Sequence, residues 1–380
     1  MSDTGNTRAP LAPWLQTQLE SLLKQRGHAW ILGGPSGLGQ FDLALATARA
    51  WLCEQPTPQG ACNQCTSCHA VDVHTHADLC VLMPETLSLA LGWPLDEKTQ
   101  RDLDEKKRKP SKEIKVDAAR DVVTFTQFTR SRGSTKVVLV FPAERMNHIT
   151  ANTLLKTLEE PPGAVKFILA TEAAHQLLPT IRSRCIGHTM VWPDFDTALA
   201  WLQAEVAVPP AGEGGSKAPA RGPKVVKTLD AADLQTLLQA AGGRPADALA
   251  WAHNAPAAEA AKHWKSLPLA MARGDVGALS AWSPGDAVVA LQKLCHDTLA
   301  VRLGAAPRFF AAKDLVAVQP PKPAGRGGVD QPGLSPPAMQ ALAQWAKELA
   351  ATARTVEHPY NPGLMLEFLV SRAALALNAT

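Results

Sequence analysis

Two groups of residues in this sequence have the types and spacing that chemistry needs. The first is Gly33-Gly34-Pro35-Ser36-Gly37-Leu38-Gly39-Gln40-Phe41. A working phosphate loop is G-x-x-x-x-G-K-[ST], in which backbone N–H groups cradle phosphates, the lysine reaches the β/γ-phosphates and the hydroxyl holds Mg²⁺. Counted from Gly34 the glycines are in register, but Gln40 stands at the lysine position and Phe41 at the hydroxyl position. Gly34, Gly37 and Gly39 remain candidates for holding an anion through backbone donors at a helix start. Alternatively the stretch is a glycine-rich strand-to-helix turn with no ligand.

The second group is Cys53, Cys62, Cys65 and Cys68, spaced C-x8-C-x2-C-x2-C. Two-residue gaps let neighbouring thiolates turn toward one ion, and four thiolates make a closed tetrahedral zinc site with no open position, which is structural and not catalytic. His69, His74 and His76 are spare candidates, but the expected ligand set is four sulfurs. The alternative is four ordinary buried or surface cysteines.

Both groups need elements to place them. The apolar run from His28 to Gly34 reads as a strand, and the segment from Phe41 to Cys53 has helical spacing, so the glycine loop lies between strand and helix as a phosphate loop must. Lys136 to Phe141 and Val165 to Thr171 read as further strands, with the helical pattern of Ile149 to Glu160 between them. Strands alternating with helices predict a parallel α/β sheet. Where an ATPase strand ends in acids for the metal and the attacking water, this one continues into Phe141-Pro142. Hydrolysis by this site is therefore not expected.

A chain of 380 residues, 46% hydrophobic, is long enough for two or three domains and excludes wholesale disorder. A net charge of +3 does not by itself argue for nucleic acid. The polar start and the lack of a long apolar run predict a soluble, cytoplasmic protein with no membrane partner. Clustered cysteines in such a chain suggest metal and not disulfides. Residues 93–115 form a mixed-charge insertion, expected to be a solvated helix or loop. Residues 208–224 have linker composition, residues 318–337 are rich in Pro and Gly, and the rest of the C-terminal half reads as helical.

The segment from Asn152 to Pro162, NTLLKTLEEPP, followed by VKFILAT and then Arg182-Ser183-Arg184-Cys185, resembles the AAA+ proteins of the bacterial DNA polymerase III clamp loader in order and spacing. A four-cysteine zinc module after the loop helix is shared with that family, and the resemblance is specific from about residue 10 to 190. It implies an AAA+ α/β core over 1–192 with the zinc module at about 53–80, a small helical lid over 193–255 holding the 208–224 linker, and an all-helical collar over 256–380 that oligomerises.

The departures side with the family's non-hydrolysing branch. Beyond Gln40-Phe41 and Phe141-Pro142, the lid pattern G-S-x-R-D-A-L is here Gly243-Arg244-Pro245-Ala246-Asp247-Ala248-Leu249, with alanine at the arginine's place. The resemblance makes Arg184 an arginine finger supplied in trans to a neighbouring ATPase subunit. Arg182 is assigned a structural role. The partners implied are clamp-loader ATPase subunits and a delta subunit in a hetero-oligomeric ring, with the sliding clamp and primer-template DNA met through the complex, and ATP bound by the neighbours. Two other readings are open: an active AAA+ clamp-loader ATPase with divergent chemistry, and a zinc-dependent DNA-binding protein on an α/β scaffold.

Overall fold

Lys136–Val140 is buried at every position and Val165–Thr171 at all but one, the pattern of strands covered on both faces. The structure, a computed structural model, describes residues 10–131, 133–207, 229–253, 257–280, 282–316, 336–356, 358 and 361–379. The linker at 208–224 lies outside the described residues, as does the 318–337 stretch up to residue 335. The chain divides into two compact units, Met1–Pro193 and Asp194–Thr380.

In the first unit α1 (Pro13–Lys24) precedes β1 (Ala29–Gly33), α2 (Gln40–Leu52) and α3 (Thr66–Asp72). Next come β2 (Leu79–Leu82), α4 (Glu85–Ala90), α5 (Glu97–Asp104), α6 (Val116–Gln127) and β3 (Lys136–Val140). The unit ends with α7 (His148–Glu159), β4 (Val165–Thr171), α8 (Pro179–Arg182) and β5 (Ile186–Thr189). The five strands form one sheet in the order β2-β3-β4-β1-β5, with every pair parallel. Trp30 is in register with Ile168 on one side and Ile186 on the other, which makes β1 a central strand. The glycine loop thus opens at the carboxyl end of a central strand, where open α/β sheets hold ligands. One face of the sheet packs Val138, Val140, Phe167 and Leu169 against Ala119 and Val122 of α6 and Leu154 and Leu158 of α7. The start of α7 is set by Asn147, whose side chain accepts the N–H of Thr150 at 2.9 Å.

The 93–115 insertion contains α5, which buries no residue. It is tied to the core by Glu85, which accepts from Arg108 Nη1 at 2.5 Å, from the Ser111 N–H at 2.9 Å and from Lys115 Nζ at 2.6 Å. Burial alone would raise the Glu85 carboxyl, but the hydrogen bonds from Arg108, Lys115 and Ser111 outweigh it and hold the group at about 2, against an ordinary 4.5. A depressed carboxylate contributes stability that is present above the unfolded value and is lost as pH falls through the folded one. The first unit is therefore expected to lose on the order of 2 kcal/mol between about pH 4.5 and 2 through this group. Glu85→Gln should flatten that segment of the pH–stability curve, as followed by urea unfolding at several pH values.

In the second unit α9 (Phe195–Val206), α10 (Ala231–Ala240) and α11 (Pro245–His253) share a small core of Ala198, Leu202, Leu234, Leu238 and Ala248. The helices α12 (Ala257–Arg273), α13 (Pro284–Arg302), α14 (Pro336–Thr355) and α15 (Pro362–Leu377) close around a larger one that includes Trp264, Leu291, Phe310, Trp345 and Leu369. Buried Asp297 organises the turn after α13 by accepting the N–H groups of Arg308, Phe309 and Phe310 at 2.7 to 3.0 Å. The larger cluster also takes in Ala240 of α10, and Leu237 of α10 packs with Ala261 of α12, so the two groups of helices share apolar contacts within this unit.

Candidate nucleotide loop, metal centre and arginine turn

The loop between β1 and α2 is filled by its own chain. Gln40 is 2% exposed, and its Nε2 donates to the carbonyls of Gly34 at 2.7 Å and Pro35 at 2.6 Å. Both hydrogens of the amide are thereby engaged, and the carbonyl oxygens facing it would repel an anion. Outside, Trp14 Nε1 donates to the Leu38 carbonyl at 2.9 Å, which fastens α1 to the loop. The glycines have packing reasons to be there. Gly39 has φ +93°, and a Cβ on it would lie 2.7 Å from Leu15; a Cβ on Gly34 would lie 2.7 Å from Met190.

Aromatic rings occupy the positions of the missing hydroxyl and acid. Phe41 packs on Phe141 with ring centroids 5.4 Å apart and meets Trp93 edge-on at 6.3 Å. His74 in turn stacks on Trp93 at 3.9 Å. None of the rings of Phe41, Phe141 and Trp93 offers an oxygen to a magnesium ion. Trp93, the first residue of the insertion, was invisible as part of this region in the sequence, because a 52-residue separation from Phe41 carries no local signal. In the second unit Arg244 is engaged at home, with Nε 2.9 Å from Asp247 and 2.8 Å from the Ala241 carbonyl.

The four cysteines converge. The Sγ atoms of Cys53, Cys62, Cys65 and Cys68 all lie within 4.8 Å of one another, so the group can hold a metal ion. Cys53 caps the C-terminus of α2 and Cys65 the N-terminus of α3, so the sequence between them folds back on the loop helix. The Cys53–Cys65 and Cys62–Cys68 sulfurs are 3.9 and 4.0 Å apart. A tetrahedral zinc with ~2.3 Å bonds sets its sulfurs ~3.8 Å apart, so the spacing fits. Backbone N–H groups point at the sulfurs, from Cys62 to Cys53 at 3.2 Å and from Cys65 to Cys62 at 3.4 Å. The N–H groups of Gln64 and Cys65 pull the Cys62 thiol down to about 6, whereas burial raises those of Cys53 and Cys68. Buried thiolates need a cation beside them. The spare histidines are elsewhere: His76 bonds Ser67 Oγ at 2.8 Å, His74 stacks on Trp93, and His69 is exposed.

Arg184 stands on a tight turn after α8. Its N–H bonds the Ile181 carbonyl at 3.0 Å, and Nη1 donates to the Thr180 carbonyl at 2.8 Å and to Ser183 Oγ at 3.2 Å. Cys185 packs against the sheet core, and burial pushes its thiol up to about 12. Nε and Nη2 of Arg184 both bond Oε1 of Glu159, a partner the sequence did not single out. Arg182 is exposed. An open cleft of about 770 Å³ is lined by Gly33, Gly34, Glu172, His175, Arg182 and Ser183, among others; Arg184 is not in its lining.

Residues 11–190 match the family model described as DNA polymerase III, delta subunit. The DNA polymerase III subunit delta' of Pseudomonas aeruginosa is 37% identical over 205 residues, covering 53% of this chain and 56% of that protein. The first unit resembles delta-prime. That of Escherichia coli is 34% identical over 201 residues, 52% of this chain and 53% of that one, so the chain spans about half the length of the curated relatives it matches. The DNA polymerase III subunit tau of Escherichia coli is 30% identical over 159 residues, 42% of this chain and 21% of that one. Among solved structures, a DNA polymerase III gamma subunit-related protein of Thermotoga maritima aligns over 96% of this chain and 100% of its own, with a TM-score of 0.44 and 16% identity. The family-model match over residues 11–190 includes the glycine loop, the cysteine group and the Arg184 turn. Among the described residues no helix is long and apolar enough to cross a membrane.

Proposed function

We propose that this chain is a non-hydrolysing, delta-prime-type subunit of a bacterial DNA polymerase III clamp loader. It presents Arg184 to nucleotide bound by a neighbouring ATPase subunit and helps load the sliding clamp on primer-template DNA. Its further partners are a delta subunit and the clamp, met within a hetero-oligomeric ring seated through the helical collar, in the cytoplasm. The cysteine group holds a structural zinc that clamps the 53–68 excursion onto α2.

The observation that carries this reading is the Gln40 side chain inside its own loop, bonded to the Gly34 and Pro35 carbonyls. With Phe41 against Phe141, the positions that would handle phosphate and metal hold groups that bind neither. Arg184 lies outside the cleft beside this loop, which suits a guanidinium used in trans. The test is ATP hydrolysis by the purified chain, alone and mixed with its ATPase partner. No turnover alone and a clamp- and DNA-dependent rise on mixing are expected. Turnover by the chain alone that survives repurification and disappears on mutating Gly39 would instead establish a divergent active ATPase.

A further inference from the structure

Glu159 is the last residue of α7, where the helix dipole disfavours a carboxylate and favours a cation. Its Oε1 is held by Nε and Nη2 of Arg184, and that pairing gives the acid a reason to be at the wrong end of a helix. With Nη1 on the Thr180 carbonyl and on Ser183 Oγ, four of the five guanidinium N–H groups are engaged within the chain. Arg184 therefore has too few vacant donors to grip a phosphate by its fork while Glu159 is in place.

The two sets of contacts differ in how firmly they hold. The Thr180 and Ser183 contacts are built into the turn: Ile181 is fully buried, and the Arg184 N–H is fixed on its carbonyl. The Glu159 contact is between side chains that are 33% and 45% exposed, so water and counter-charge compete for it readily. A polyphosphate carries more negative charge than one carboxylate and accepts a guanidinium in the same two-pronged geometry.

We propose that Glu159 is a positioning residue that holds Arg184 in the free chain and is exchanged for phosphate oxygens when a neighbouring subunit's nucleotide approaches. This rests on the reading of Arg184 as a group acting in trans. Glu159 competes with the nucleotide for one guanidinium, so it sets how readily the neighbour's site engages and leaves the chemistry after engagement alone.

The test is a double-mutant cycle in the assembled complex, with ATP as the probe and clamp and primed DNA present. Glu159→Gln keeps the shape and removes the charge; it is expected to lower the apparent KM for ATP by ~2- to 5-fold with kcat unchanged, the range an exposed ion pair allows. Glu159→Asp keeps the charge and should keep the wild-type KM. In an Arg184→Ala background Glu159→Gln should move nothing. An unchanged KM in Glu159→Gln, in a complex whose turnover Arg184→Ala slows, overturns the role of Glu159 and leaves the trans arginine standing. An equal KM shift in both backgrounds also overturns it, since Glu159 would then act by its own charge. If Arg184→Ala changes neither KM nor turnover, the trans arginine falls and the exchange falls with it.

Discussion

Replacing Arg184 by alanine is expected to slow ATP hydrolysis at the one interface it faces by ~10³-fold or more, the range found for arginines supplied in trans, with assembly of the complex intact. The expectation follows from how the turn is built. Arg184 belongs to none of the apolar clusters of the first unit, and the turn keeps buried Ile181, partly buried Cys185 and the backbone bond from the Arg184 N–H to the Ile181 carbonyl, so the fold should tolerate the truncation. What disappears is a rigid fork of donors that spreads phosphate charge. Arg184→Lys keeps a charge but not the fork, and should recover only a minor part of the rate. Single-turnover hydrolysis by the complex, read beside gel filtration to verify assembly, is the measurement. Wild-type stimulated turnover and clamp loading in the alanine variant would remove Arg184 from the mechanism.

Exchanging Cys62 and Cys65 for serine is expected to release about one zinc ion per chain and to lower the melting temperature of the first unit by on the order of 10 °C. Structural zinc in small peptides is worth ~10–16 kcal/mol. The effect here is smaller because the sheet, α6 and α7 have an apolar core of their own. Losing even a few kcal/mol moves a domain of this size by about 2–4 °C for each. The zinc would hold α3 and the 53–68 excursion against the C-terminus of α2, where Ser67 Oγ donates to the Leu52 carbonyl at 2.6 Å. Metal analysis of the wild-type chain and of the double variant, paired with thermal unfolding, decides the matter. A wild-type chain that carries no metal, and melts where the variant melts, defeats the assignment.

Much of this was readable without coordinates. Three strands were visible because buried parallel strands are apolar throughout, and their separation by helical patterns implied the parallel sheet. β2 and β5 were missed: each is four residues long, β5 reads Ile-Gly-His-Thr with no continuous apolar run, and the apolar run of β2 is too short for periodicity to tell strand from helix. The cysteine group was visible because short spacings constrain geometry locally. Glu159 was not, because it reaches Arg184 across 25 residues of chain, and a surface acid at a helix end resembles any other.

The identities at the glycine loop were enough to predict that it does not hydrolyse nucleotide, since no arrangement turns glutamine and phenylalanine into an ammonium and a magnesium-binding hydroxyl. What replaces the ligand needed the fold. That Gln40 turns inward onto two loop carbonyls depends on the backbone path of the loop, and that Trp93 from a charged insertion meets Phe41 edge-on depends on two parts of the chain brought together by the fold. The sequence alone therefore determined which phosphate- and metal-handling side chains the loop does not have and which ligand types the chain carries, because those are properties of single side chains and short spacings. Only the tertiary structure decided which groups fill the vacant positions and which partner holds the arginine, because side chains far apart in sequence meet only once the sheet has set their distances.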